Sequence, residues 1–224
     1  MTSIAGRPLR LAHRGDWRRA PENTIEALLA ALEIPACDGV EFDVTSSKDG
    51  VPVLLHDDTL ARVQHRPERA DALSAAELEA AGVPRLEAVL AALPERAFLD
   101  VELKDVPAPS VVDLLEAARG KELRNAVVSS FHVAALEPIR RARPAWPLWL
   151  NSSALDERTI AVALRAGCRG ISAEWQSVNA RSVARANEAG LEIASWTIRR
   201  RSMFDRLARA GVVAVCVEAA ALDG

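Results

Sequence analysis

Short apolar runs alternate with amphipathic stretches along almost the whole chain. The runs occupy 9–12, 40–44, 97–103, 126–128, 148–150, 170–172, 191–196 and 212–217. They are strand-length, and several are apolar at consecutive positions, which predicts parallel strands buried on both faces. Between them, 23–33, 110–119, 134–143, 156–166, 179–189 and 202–210 carry apolar residues at helical spacing. Asn23 with Glu26 resembles a capping box, and Gly167, Gly190 and Gly211 stand where helices should stop. The pattern predicts about eight strand–helix units, the number that closes a (β/α)8 TIM barrel. A doubly wound open sheet is the alternative, but nothing resembles its Gly-rich phosphate turn. With no linker or low-complexity tract, residues 1–224 are expected to form one α/β barrel domain.

One segment breaks the alternation. Asp49-Gly50 predicts a two-residue hairpin turn, and 51–56 then returns antiparallel beside the second strand. Residues 57–84 form a short insertion with a helix near 74–81, ahead of a helix at 85–93.

Composition narrows the class of partner. Hydrophobic residues make up 50% of 224, enough for a real core. Lys and Arg number 28 against 31 Asp and Glu, a balance that does not recommend nucleic acid or an anionic membrane surface. The chain has no long uncharged apolar stretch for a membrane span and no apolar leader core after Met1, so a soluble, cytoplasmic protein is expected. A homo-oligomer is compatible with all of this. Cys37, Cys168 and Cys216 are odd in number and lack metal-ligand spacing, and are read as small buried side chains in a reducing compartment.

The candidate chemistry collects at strand ends. If Asp49 and Gly50 alone form the turn, Asp43 lies opposite His56, and Glu41 shares that face because strand side chains alternate. In the third strand Glu102 and Lys104 share a face in the same way. Three converging carboxylates, Glu41, Asp43 and Glu102, would repel one another unless they held a hard divalent cation, Mg²⁺ or Ca²⁺. The competing reading is a set of salt bridges at strand ends. Of the four histidines, His13 and His56 fall at such ends, while His65 and His132 are read as structural. Arg14 and Lys104 can neutralise phosphate oxygens.

His13-Arg14-Gly15, Pro21-Glu22-Asn23-Thr24, Glu41-x-Asp43, Asp49-Gly50 leading to His56-Asp57, Glu102-x-Lys104, Ser130-Phe131 and Trp196-Thr197 together resemble the glycerophosphodiester phosphodiesterase family. Each motif is weak alone; their order and spacing are specific, and they span nearly the whole chain. The resemblance implies a β/α barrel and a phosphoric diester hydrolase of lipid metabolism. In that reading Glu41, Asp43 and Glu102 hold the cation, His13 and His56 are the acid–base pair, and Arg14 and Lys104 clamp phosphate. Its expected reaction is metal-dependent cleavage of a small glycerophosphodiester to glycerol 3-phosphate and an alcohol. The attacking hydroxyl is the substrate's glycerol 2-hydroxyl or water. Trp196 has two readings, core packing or contact with the substrate's carbon skeleton; Trp17 and Trp175 sit on predicted active-face loops. The alternatives are a phospholipase D-like activity on lysolipids or sphingolipids, which would want an apolar mouth, and a catalytically silent phosphate-ester-binding homologue.

The chain departs from the family's pattern at three places. Val217-Glu218-Ala219-Ala220 replaces Thr-Asp-x-Pro, Ile198-Arg199 follows Trp196-Thr197 where an Asn is common, and the segment after His56-Asp57 is short. These departures bear on substrate choice more than on reaction type. Arg199-Arg200-Arg201 follows the seventh barrel strand at a helix start, where cations oppose the helix dipole. It reads as a second anion-binding point or as a solvated basic turn.

Overall fold

The eight apolar runs expected as strands form them, and they close on one another. The computed structural model describes residues 6–224; the first five, which carry part of the reading against a leader, lie outside the described residues. The strands are β1 (Leu9–His13), β2 (Gly39–Ser46), β3 (Pro52–Leu54), β4 (Phe98–Leu103), β5 (Ala126–Ser130), β6 (Leu148–Ser152), β7 (Gly170–Glu174), β8 (Glu192–Ile198) and β9 (Ala214–Val217). The helices are α1 (Ile25–Leu32), α2 (Ala75–Ala80), α3 (Leu86–Ala92), α4 (Ser110–Arg119), α5 (Val133–Ala142), α6 (Glu157–Arg165), α7 (Ala180–Glu188) and α8 (Arg201–Ala210). Every strand but β3 pairs in parallel around a ring that returns from β9 to β1. β3 lies outside the ring, antiparallel to the distal half of β2. After β9 only a 3₁₀ turn, Ala219–Ala221, follows in place of a helix.

Alternation along each strand divides the core in two. Outward residues such as Val40, Phe42, Val44, Leu99, Val101 and Leu103 pack against the helices. Inward residues Leu9, Leu11, Phe98, Val127, Trp149 and Ala214 fill the lower half of the barrel. Full burial of side chains of this size contributes roughly 1.5–3 kcal/mol each, which offsets part of the cost of the polar groups above them. The Trp149 indole fits there because β7 begins with Gly170: a Cβ at that position would stand 2.9 Å from the indole and 2.4 Å from the Glu192 carbonyl oxygen. One or two steps further along the strands the inward residue becomes polar. His13, Glu41, Asp43, Asp100, Glu102, Ser129, Asn151 and Ser172 follow this parity, so the barrel has an apolar floor and a polar upper end.

Two local expectations are corrected. The hairpin loop has three residues, not two: Val44, Thr45 and Ser46 pair with Leu54, Val53 and Pro52, and the Ser47 N–H donates to the Val51 carbonyl at 3.0 Å. Gly50, at φ 75°, supplies the left-handed residue that a three-residue loop requires. Asp43 therefore lies opposite Leu55, not His56, and its carbonyl accepts from the Leu55 N–H at 3.2 Å. His56 still reaches the barrel mouth because the chain leaves the ladder after Leu55. At α1 the cap is Thr24, whose hydroxyl accepts from the Ala27 N–H at 3.2 Å, not the expected Asn23 with Glu26. The Asn23 side chain is spent on Asp43 instead. Residues 57–84 pack around their own small core of Val53, Leu55, Leu60, Ala75, Leu78 and Val83. There the expected helix forms as α2, capped by Ser74 with Glu77.

Candidate active site

His13 ends β1 and is tied down from behind. Its Nδ1 lies 2.6 Å from Glu218 Oε1, and its Nε2 lies 3.8 Å from Glu41 Oε2. A carboxylate only accepts, so Nδ1 carries a proton and Nε2 faces the acidic cluster. Glu218 also accepts from Arg199 Nε at 2.7 Å. Burial alone would raise its pKa, but the bonds to His13 and Arg199 bring it down to about 2. The turn after His13 holds Arg14 at φ 57° and Gly15 at φ 84°. A Cβ on Gly15 would come within 2.5 Å of the Ala27 backbone, so only glycine lets this turn lie against α1.

His56 has a similar support. Its Nδ1 lies 2.6 Å from Asp57 Oδ1, and Asp57 accepts from Arg62 Nε at 2.7 Å. Against the effect of burial, Arg62 and His56 hold Asp57 at about 2. Arg62 also grips both oxygens of Glu22, at 2.7 and 2.8 Å, and Glu22 accepts from Arg14 Nη1 at 2.9 Å. The insertion is thereby linked through charged pairs to the turn that follows β1.

Between the histidines stand Glu41, Asp43 and Glu102, with one carboxylate oxygen of each within 4.8 Å of the others. Asp43 is 1% exposed, with Arg14 Nε at 3.0 Å, Lys104 Nζ at 3.4 Å and Asn23 Nδ2 donating at 2.8 Å. Burial opposes its ionisation, but Arg14 and Lys104 keep its pKa below the ordinary value. Glu41 lacks comparable support. Burial, then Asp43 and Glu102, push it well above the usual carboxylate range. Lys104 donates to Glu102 at 2.7 Å, and Asn151 Nδ2 donates to the other Glu102 oxygen at 3.0 Å. Burial and the neighbouring Glu102 and Asp43 charges bring Asp100 up to about 7, against a hydrogen bond from Ser129 at 2.6 Å. Three buried oxygens, Glu41 Oε1, Asp43 Oδ1 and Asn151 Oδ1, have no hydrogen-bond partner among the described residues. A buried unsatisfied acceptor costs about 1–3 kcal/mol, more when charged, so an arrangement that keeps three together needs a reason.

These groups open into a cavity of about 170 Å³. His13, Arg14, Glu41, His56, Glu102 and Trp196 all line it; Asp43 and Lys104 adjoin it through their pairs with Arg14 and Glu102. Trp196 donates its indole N–H to the Ser172 carbonyl at 2.9 Å and meets Phe131 edge to face at 5.4 Å, so it is both packed and presented to the cavity. Asp100, Asn151 and Phe131 belong to this wall; Phe131 entered the sequence reading only as part of the Ser130-Phe131 motif, and Asp100 and Asn151 were not picked out as site residues, although Asp100 shares the parity of Glu102. Cys216 lines the cavity too; all three cysteines are free, and Cys37 is only half-buried. His65, His132 and Trp17 are exposed and do not line it, and Trp175 lines a neighbouring groove.

Groups able to hold a cation and groups able to move protons thus meet at the carboxyl ends of barrel strands, where enzymes of this fold place their chemistry. The enzyme class is that of the phosphoric diester hydrolases. Residues 13–222 match the model of the Glycerophosphoryl diester phosphodiesterase family, and the chain belongs to that family. A glycerophosphodiester phosphodiesterase of Caldanaerobacter subterraneus subsp. tengcongensis is 27% identical over 220 residues, covering 90% of each chain. Among solved structures, a glycerophosphodiester phosphodiesterase from Agrobacterium tumefaciens superposes with a TM-score of 0.82 at 25% identity, covering 96% of this chain and 98% of that one. An Oleispira antarctica phosphodiesterase in complex with the product sn-glycerol-3-phosphate gives 0.77 at 26% identity, covering 94% and 93%. Among the described residues no helix is long and apolar enough to cross a membrane.

Proposed function

We propose that the chain hydrolyses glycerophosphodiesters to glycerol 3-phosphate and an alcohol, with a divalent cation held by Glu41, Asp43 and Glu102. The observation that carries this reading is the pair of histidines, each backed at Nδ1 by a carboxylate, around three clustered carboxylates, two of which, Glu41 and Asp43, keep a buried oxygen that accepts no hydrogen bond among the described residues. Oxygen donors of this kind suit Mg²⁺ or Ca²⁺, and a cation would give Glu41 Oε1 and Asp43 Oδ1 the partner that no hydrogen bond among the described residues supplies. When bound, it would supply Lewis-acid stabilisation of charge on the phosphate.

The chain's own residues account for the remaining chemistry. One histidine takes the proton of the attacking hydroxyl at Nε2; the other, protonated at the start, delivers one to the departing alkoxide. Each transfer contributes about 10²–10⁴-fold. Glu218 and Asp57 fix the two rings and stabilise each imidazolium as it forms, in the manner of a base–orienter pair. Arg14 lies where it can meet phosphate oxygens, and Lys104 holds Glu102 and Asp43 in place while adding positive charge. Trp196 packs along the carbon skeleton of the substrate. The product in the Oleispira antarctica complex supports glycerol 3-phosphate as the phosphate-bearing product here.

The test is a panel of glycerophosphodiesters followed by ³¹P NMR, with and without Mg²⁺ or Ca²⁺. Turnover that needs the cation and falls at least 10²-fold in His56→Ala is expected. Full activity in that variant, or no turnover of any diester, would overturn the assignment and favour a binding protein.

A further inference from the structure

Next to the cavity runs an open groove of about 490 Å³, lined by Trp175, Thr197, Ile198, Arg199, Arg200 and Met203. Thr197 lines both, so the two spaces adjoin at this residue. We propose that this groove is the leaving-group subsite, and that it selects glycerophosphodiesters whose alcohol carries a second anionic group.

Size is the first argument. At about 170 Å³ the cavity is smaller than the roughly 300–1,000 Å³ of ordinary small-molecule sites. It has room for a phosphate and a small polyol, and a bulkier alcohol must extend beyond it. The groove supplies that room on the side marked by Trp196 and Thr197. Its floor is built for a carbon skeleton: Trp175, Ile198 and Met203 are apolar. The Arg206 guanidinium holds the Trp175 residue, donating to its carbonyl at 2.8 Å with its centre 5.4 Å from the ring.

Charge is the second argument, and it sets the class of alcohol. Among the described residues no carboxylate lines the groove. Arg199 gives Nε to Glu218, which already serves His13, while 74% of its side chain stays exposed. Arg200 is exposed and has no ion pair or side-chain hydrogen bond among the described residues. Both stand where β8 passes into α8, at the helix end that cations disfavour. A phosphate or carboxylate on the alcohol would relieve that repulsion, whereas a quaternary ammonium would add to it.

The inference rests on the phosphodiesterase reading, so its test uses a matched pair of substrates: glycerophosphoinositol and the same compound with a phosphate at inositol position 4. Rates for both are followed by ³¹P NMR at low and at physiological ionic strength. The wild-type chain should favour the phosphorylated substrate about fivefold or more in kcat/KM, mainly through KM, and added salt should shrink the margin. Arg200→Gln should remove the preference and leave glycerophosphoinositol unchanged, while Arg200→Lys should keep most of it. Turnover of both substrates without preference, or equal losses on both in Arg200→Gln, would overturn the subsite and leave the phosphodiesterase reading intact. No turnover of either would sink the phosphodiesterase reading and the subsite with it.

Discussion

Replacing Asp100 by Asn should stabilise the metal-free protein, increasingly so as the pH rises. Asp100 is 2% exposed, sits beside the three carboxylates and accepts one hydrogen bond, from Ser129. Its pKa rises from an ordinary 3.8 to about 7. The folded chain therefore keeps a proton that the unfolded chain releases, so stability falls as pH rises from 3.8 and levels off above about 7. That rise of about three pH units, at about 1.4 kcal/mol each, is a cost of about 4 kcal/mol. Asn keeps the acceptor for Ser129 and never ionises. The variant's advantage should be near zero below pH 3.8 and grow by about 1.4 kcal/mol per pH unit through the window. Between pH 5 and pH 7.5 it gains about 3 kcal/mol, roughly 6–12 °C in Tm for a domain of this length. Urea unfolding followed by tryptophan fluorescence, in chelator and at several pH values, measures it directly. Parallel stability curves for the two proteins would refute the reasoning, because they would mean that Asp100 ionises in the folded chain as freely as in the unfolded one.

Glu218→Gln turns the acceptor behind His13 into a possible donor and favours the tautomer with the proton on Nε2. A loss of roughly 10²–10⁴-fold in kcat with little change in KM is expected from steady-state kinetics, and a loss confined to KM would remove Glu218 from that role. Asn23→Ala removes two bonds to Asp43, at 2.8 and 3.2 Å, and places alanine at φ 57°. Leaving the buried Asp43 N–H unpaired and its Oδ2 with Arg14 alone should cost about 1–3 kcal/mol in urea unfolding and weaken Mg²⁺ binding by calorimetry; an unchanged midpoint would show that other groups satisfy Asp43.

The barrel was legible because parallel strands buried on both faces leave apolar runs, and each run predicted as a strand became one. Much of the site was legible for a related reason: strand side chains alternate, so Glu41, Asp43 and Glu102 could be placed on one face without coordinates. The same rule applied to Asp100, whose parity matches Glu102. What alternation cannot supply is where a chain stops obeying the ladder. A two-residue turn put His56 opposite Asp43. The actual loop is one residue longer, which would have moved His56 to the wrong face had β3 continued past Leu54. Asn23 shows a second limit, since its residue type suits a helix cap and a carboxylate ligand equally, and only the approach of β2 decides between them. The support behind the histidines marks the third. Asp57 adjoins His56 in the chain, whereas Glu218 lies 205 positions from His13 and meets it only because β9 closes against β1. Closure of the ring is thus more than a way to bury edges: it joins the first strand's histidine to the last strand's carboxylate, and Arg199 joins that pair to the groove beside it.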